Sequence, residues 1–304
     1  MRLCILIFIS DSNRKLLTAL PSSPVKEIFQ TISYARHLVK AGNAHDIHSP
    51  FAYDLYVNII CDETPFYSYD NIEAIRSQML LSKEKIEVHD LGAGKQKVRK
   101  WESEKVRNDS DEYDTPAHFL PCSLSRIARH SVKPKKYGQL LFRLVNHFQP
   151  ASILEIGTSL GITILYLATP NKKSKVITLE GCPNTAAVAE NNFRKTGVNN
   201  IKLMVGDFDE TIPTALKELP RLDFVYFDGN HRKEPTLRYF RQCLFNHHQN
   251  SVFVFDDIYW SREMAEAWEE IKKEPTVTMT IDLYSFGIVF FKKELQKQNY
   301  RLRF

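Results

Sequence analysis

A chain of 304 residues, 43% of them hydrophobic, suits one large domain, or one domain plus an extension, and carries ample apolar material for a sizeable core, so disorder is not the default reading. Its 41 Lys and Arg against 36 Asp and Glu leave a formal charge of +5, spread along the sequence rather than gathered into a nucleic-acid-binding stripe. The 5 cysteines are widely spaced and include no CxxC pair, which argues against a disulfide framework or a cysteine-ligated zinc and suits a reducing, cytoplasmic compartment.

The N-terminus, MRLCILIFIS, is one Arg and a short apolar run, about half the length that spans a bilayer. It resembles a weak signal peptide, but no small-residue cleavage site follows it closely, so within residues 1–27 an appended strand or an over-extended start is the favoured reading. No other segment is long and apolar enough for a membrane span. Residues 28–115 read as an N-terminal extension and linker, mainly helical. Within it, His45 and His48 flank Asp46 in HDIHSP. Histidines three apart can ligate a metal or touch a substrate, but ahead of Pro50 they read as turn caps. Phe51, Tyr53 and Tyr56 read as packing residues. The stretch VHDLGAG ends in Asp90-Leu91-Gly92-Ala93-Gly94, the look of a nucleotide-binding turn. The segment after it is charged throughout, with no apolar stripe and no second strand ending in an acid. The motif is expected to be a turn after an edge strand, with Lys95 to Asp114 a linker. Lys133, Lys135 and Lys136 then read as a solvated face.

Residues 116–304 carry the main domain. A second glycine loop meets each condition that the first fails. Ala151 to Ile156 is a short buried strand. Gly157-Thr158-Ser159-Leu160-Gly161 is the turn, and Ile162, Ile164, Leu165 and Leu167 supply the helix behind it. Four more strands follow. Their ends carry Glu180, then Gly206-Asp207-Phe208, then Asp228, then Asp256-Asp257. Unbroken apolar strands alternating with helices predict a parallel sheet covered on both faces, with ligands beyond the carboxyl ends of its strands. A lone acid at such an end is more often a helix cap, but with Glu155 in the first strand the acids stand at five ends in register, which favours a site. Two last strands, Val277 to Leu283 and Phe286 to Lys292, are separated only by Tyr284-Ser285 and must form an antiparallel hairpin.

A seven-stranded, mostly parallel, Rossmann-like α/β sheet ending in an antiparallel hairpin strand resembles the class I S-adenosylmethionine (AdoMet)-dependent methyltransferases. The motifs LEIGTSLG and VYFDGNH are most similar to small-molecule O-methyltransferases. Ala44 to Tyr56, VHDLGAG and KKYGQLLFRLV together resemble a group of uncharacterised methyltransferases found mainly in Bacteroidetes, in which VHDLGAG lies in the extension. The resemblance implies an AdoMet-dependent enzyme in which Glu155, Gly157, Thr158, Ser159 and Gly161 hold the methionine end. Glu180 would accept the ribose hydroxyls, Gly206, Asp207 and Phe208 would flank the adenine, and Asp228 would lie near the methionine amine or reaction centre.

Catechol-type members hold a divalent metal with an Asp after the fourth strand and an acid–amide pair after the fifth. Here Asp228, Asp256 and Asp257 stand at those positions, with Asp257 in place of the amide. Mg²⁺ on these three is one expectation. Asp257 as cap of the following helix is another. Catalytic candidates are Asp228, Asp257 and His231, whose imidazole is the side chain suited to proton transfer near neutral pH. Tyr259 and Trp260 are either an acceptor wall or core. The expected partner is a small-molecule acceptor, with a homodimer as the candidate assembly. Nucleic acid is disfavoured, since Asp228-Gly229-Asn230-His231 replaces the proline-rich motif of base methylases, and Pro121-Cys122 lies before the first motif. The alternatives are a nucleic-acid or protein methyltransferase, or an AdoMet-binding protein without turnover.

Overall fold

The computed structural model describes residues 24–88 and 120–304. The first glycine loop, Asp90 to Gly94, and nearly all of the N-terminal segment 1–27 lie outside the described residues. Three helices open the described chain: α1 (Pro24–Lys40), α2 (Pro50–Leu55), which continues as a wider turn over Tyr56–Ile60, and α3 (Tyr67–Leu81). Strands β1 (Lys85–Val88) and β2 (Leu120–Ser123) pair antiparallel in a small sheet of their own. After α4 (Leu124–Ser131) and α5 (Lys135–Phe148) come the alternating elements. These are β3 (Ser152–Ile156), α6 (Ile162–Ala168), β4 (Lys175–Glu180), α7 (Pro183–Thr196), β5 (Ile201–Val205), α8 (Phe208–Glu218), β6 (Leu222–Phe227), α9 (Lys233–Leu244), β7 (His247–Asp256) and α10 (Arg262–Lys273). The chain ends with β8 (Met279–Asp282), β9 (Phe286–Phe290) and β10 (Gln298–Arg301).

The main sheet has the order β10-β8-β9-β7-β6-β3-β4-β5. Strands β5, β4, β3, β6 and β7 run parallel, and β9 enters antiparallel between β7 and β8. From β3 the chain first steps out to β4 and β5, then returns to build β6 and β7 on the other side. The reversal opens a crevice between the carboxyl ends of β3 and β6. The predicted seven strands are all present. An eighth, β10, is added parallel to β8. Its sequence, QNYR, has no apolar pattern, so nothing local announced it; Arg301 fixes it by reaching Asp282 and the Tyr259 hydroxyl.

Alternation along β3 divides the core. Ile153 faces one side, with α5, α6 and α7, and Leu154 faces the other, with α8, α9 and α10. The extension belongs to the first side. Leu55, Ile60, Ile72 and Ile75 join the same cluster as Leu141, Leu144 and Tyr166. Arg143 on α5 donates to the carbonyls of Ile59 and Ile60 at 2.7 and 3.0 Å, satisfying groups that the wide turn leaves open. Phe51 packs edge-on against Phe290, and Tyr56 donates to the Arg303 carbonyl. Tyr53 is exposed, unlike its expected packing role.

His45 and His48 are exposed, and neither caps the turn before Pro50. The caps are Asn43, which accepts from His45 N, and Ser49, which accepts from Ala52 N. Shorter side chains reach the first free amides where an imidazole cannot.

Candidate active site

The second glycine loop is built as its sequence requires. Gly157 has φ +103°, and a Cβ there would stand 2.5 Å from the Asp228 carbonyl oxygen. Both the conformation and the close approach demand glycine. Gly157 and Thr158 donate to the Leu179 carbonyl, which ties the loop to the end of β4. Gly161, φ +77°, starts α6, and a side chain there would strike Phe193. Ser159, also at positive φ, donates its amide to Glu180 Oε2 at 2.8 Å, while Glu180 Oε1 accepts from Cys182 N. Glu180 is thus braced by its own loop. Thr158 is buried, and its hydroxyl meets Thr178 at 2.5 Å. Gly206, φ +149°, donates to the Glu180 carbonyl. Asp207 caps α8 by accepting from Asp209 N, and Phe208 lies against Gly229.

Glu155 is fully buried at the floor of the crevice. Thr178 donates to its Oε2 at 2.5 Å, and Oε1 has no hydrogen-bond partner among the described residues. Burial pushes its carboxyl well above the usual range, the Thr178 bond opposes this, and Glu180 adds repulsion. A carboxyl raised on folding contributes stability at low pH and loses it as pH rises through its folded value. The Tm difference between Glu155→Gln and the parent, without ligand, is therefore expected to grow in the variant's favour as pH rises from 5 to 8. A difference that stays constant across a series of fluorimetric melts would contradict this reading.

On the other side of the crevice three aspartates converge. Asp228 follows β6, Asp256 ends β7 and Asp257 comes directly after it. Asp257 takes φ +50° and does not cap α10; Ser261 does, accepting from Met264 N. The Asp257 carboxylate instead meets Lys133. The ammonium lies 2.5 Å from Asp257 Oδ1 and 2.9 Å from Asp256 Oδ2. Lys133 therefore does not share the solvated face kept by Lys135 and Lys136. It sits in the loop between α4 and α5, where Arg76 Nη1 donates to its carbonyl. Arg76 pairs with Glu73, which in turn accepts from the Tyr166 hydroxyl.

His231 Nε2 is 3.5 Å from Asp228 Oδ1, and its ring centre lies 6.2 Å from that of Trp260. Trp260 is held by α1, where Gln30 donates to its carbonyl and the Lys26 ammonium covers its ring. Tyr259 turns away. Its hydroxyl donates to Asp282 Oδ2, and its ring stacks on Tyr284. Of the two aromatics, Trp260 is the one beside His231.

The electrostatics follow from crowding. Burial first, and then the neighbouring Asp256, hold the Asp228 carboxyl well above the usual range, with Lys133 opposing. Burial and then Asp257 raise Asp256. Burial pushes Asp257 up, but Lys133 and then His231 outweigh it and leave Asp257 low. For Lys133 burial acts downward, and the carboxylates of Asp256, Asp257 and Asp228 more than reverse it, so it stays an ammonium.

A divalent ion on Asp228, Asp256 and Asp257 does not fit this arrangement, because the ammonium already stands between the two carboxylates it would bridge. Asp228, His231 and Asp256 do bring one ligand atom each within 4.8 Å of one another. An ion there would share Asp256 with Lys133.

Residues 154–258 match a family model described as a methyltransferase domain. The match marks that span as a methyltransferase domain. Curated relatives include a transmembrane O-methyltransferase of Propithecus coquereli, 39% identical over 93 residues, which are 29% of this chain and 34% of that protein. A catechol O-methyltransferase of Niastella koreensis is 29% identical over 131 residues, 42% of this chain and 58% of that protein. Another, of Mycobacterium tuberculosis, is 32% identical over 123 residues, 40% of this chain and 54% of that protein. The chain thus spans between a third and three fifths of the length of these relatives. Among solved structures, an O-methyltransferase from Bacillus cereus in complex with SAH aligns with 79% of this chain and 97% of its own, at 18% identity and a TM-score of 0.49. No helix among the described residues is long and apolar enough to cross a membrane.

The matched span holds the second glycine loop, Glu180, Gly206 to Phe208 and the three aspartates. It leaves out Lys133, which comes from before the domain's first strand, and the helix α1 that holds Trp260.

Proposed function

We propose that this chain transfers a methyl group from AdoMet to an oxygen of a small-molecule acceptor. One observation carries the reading: Gly157 lies directly against the Asp228 backbone, so the glycine loop and the Asp–His–Lys cluster form two walls of one crevice. The loop side suits the cofactor. Glu180 offers carboxylate oxygens to ribose hydroxyls, Glu155 lies beneath the methionine end, and Phe208 offers a ring to the adenine. A sulfonium and an ammonium favour the acidic surroundings.

The cluster side suits the acceptor. In the reaction the acceptor oxygen attacks the methyl carbon in line, the new C–O bond forms as the C–S bond breaks, and the hydroxyl proton must leave. His231, oriented by Asp228, takes that proton, and Trp260 walls the acceptor. The name catechol O-methyltransferase of two relatives supports a phenolic acceptor. Cys61, Cys122 and Cys243 are free thiols, which suits a cytoplasmic enzyme. Light scattering checks the homodimer.

The experiment is calorimetry with AdoMet and S-adenosylhomocysteine, followed by detection of released S-adenosylhomocysteine with catechols, other phenols and carboxylates. Micromolar binding and turnover of a phenol are expected. Binding without turnover of any acceptor, or methylation of RNA or protein alone, would overturn the small-molecule reading.

A further inference from the structure

Resting on that reading, we propose that Lys133 is the resident cation of the acceptor site, standing where a catechol-type enzyme holds its divalent metal, and that its ammonium binds the acceptor oxygen directly. The position is defined by the partners. Asp256 and Asp257 are adjacent at the end of β7, and the ammonium bridges one oxygen of each, at 2.9 and 2.5 Å. A metal shared by that pair would need the same volume. A lysine ammonium carries three N–H donors. One is donated to Asp257 Oδ1, while Asp256 Oδ2 is an ion-pair contact at 2.9 Å, and a donor is left for an acceptor oxygen. Asp228 adds a third carboxylate to the field around it.

The placement is built rather than incidental. Lys133 reaches across 124 residues of sequence to Asp257. Its backbone is fixed by Arg76, and Pro134 follows it as the cap of α5. Arg76 and its partner Glu73 come from the N-terminal extension, which gives that extension a task in the chemistry. A second cation on Asp228, His231 and Asp256 would lie within a few ångströms of the ammonium on a shared carboxylate. At about 4 Å, repulsion between even unit charges is ~1–4 kcal/mol in media between water and a protein surface, and larger for a divalent ion. Lys133 thus selects against a metal. In the reaction it holds the acceptor oxygen in line with the methyl carbon and stabilises negative charge as His231 removes the proton. It keeps its own proton throughout.

Two measurements test this. The first needs no activity: Mn²⁺ titration followed by electron paramagnetic resonance, on the full chain and on Lys133→Ala. The parent is expected to bind no Mn²⁺ up to about 1 mM, and the variant to bind it at least tenfold more tightly. Binding by the parent at micromolar concentration, or by neither protein, would overturn the proposal. The second follows turnover. The parent is expected to keep its rate after EDTA and desalting. Lys133→Ala is expected to lose ~10²-fold in kcat with S-adenosylhomocysteine affinity within a few-fold, and to regain at least tenfold with millimolar Mg²⁺. Lys133→Met, which keeps the stem, replaces it should the alanine variant not fold. A parent that EDTA inactivates and Mg²⁺ restores would overturn the proposal. Failure of the methyl-transfer reading is separate, since it would show as absent AdoMet binding or absent turnover in the parent while the Mn²⁺ result still stands.

Discussion

Glu180→Ala is expected to weaken AdoMet binding by ~10²-fold or more, and Gly157→Val to remove it. Hydrogen bonds to a charged acceptor contribute about 1.5–3 kcal/mol each, and a ribose offers two hydroxyls to one carboxylate, so the loss exceeds two decades. Glu180 also braces the loop through Ser159 N and Cys182 N, and alanine would release both. Gly157→Val acts by shape. Its Cβ would meet the Asp228 carbonyl at 2.5 Å from a backbone at φ +103°, and neither partner is a flexible side chain that could move aside. Gly92→Val, in the first glycine loop, is expected to leave affinity within a few-fold. Calorimetry with AdoMet, with thermal melts to confirm folding, makes the comparison. If Gly92→Val abolished binding and Gly157→Val did not, the assignment of the cofactor loop would be reversed.

The second glycine loop was legible because such a turn depends on the helix and strand behind it. The apolar residues Ile162, Ile164, Leu165 and Leu167 are fully or nearly fully buried in α6, as a helix packed on its own sheet requires. The acids at the strand ends were legible for a similar reason. A parallel strand buried on both faces reads as an apolar run, so the first charge after it marks the carboxyl edge.

Lys133 was not legible. In Val132-Lys133-Pro134-Lys135-Lys136 it is one of three lysines around a proline, and composition gives no ground for separating them. Only the fold does so, by turning one toward Asp256 and leaving the other two outside. Trp260 was half legible, since adjacency to Asp257 suggested a wall, but the helix that holds it lies 230 residues away in sequence. The strand β10 was missed because an edge strand needs no apolar alternation when Arg301 and the backbone of β8 hold it. In each case the missing information is a long-range contact made by polar side chains, which leave no periodicity behind.

Asp228→Asn is expected to lower kcat by at least ~10²-fold, and His231→Ala by a similar factor, with the fold intact in both. The two losses should differ in their dependence on the acceptor. If His231 takes the acceptor proton, it is needed only while the hydroxyl carries one. A catechol with an electron-withdrawing nitro group is already ionised at assay pH and has no proton to give. The defect of His231→Ala should therefore shrink by at least tenfold when catechol is replaced by a nitrocatechol. The defect of Asp228→Asn should persist with both, because Asp228 contributes to the field around Lys133 as well as orienting the imidazole. Steady-state kcat for the two acceptors, measured on parent and variants at saturating AdoMet, reads the four ratios. A His231→Ala enzyme equally impaired with both phenols would assign the histidine to positioning alone and move the base to the carboxylates. One that turns over catechol at the parent rate would remove His231 from the mechanism.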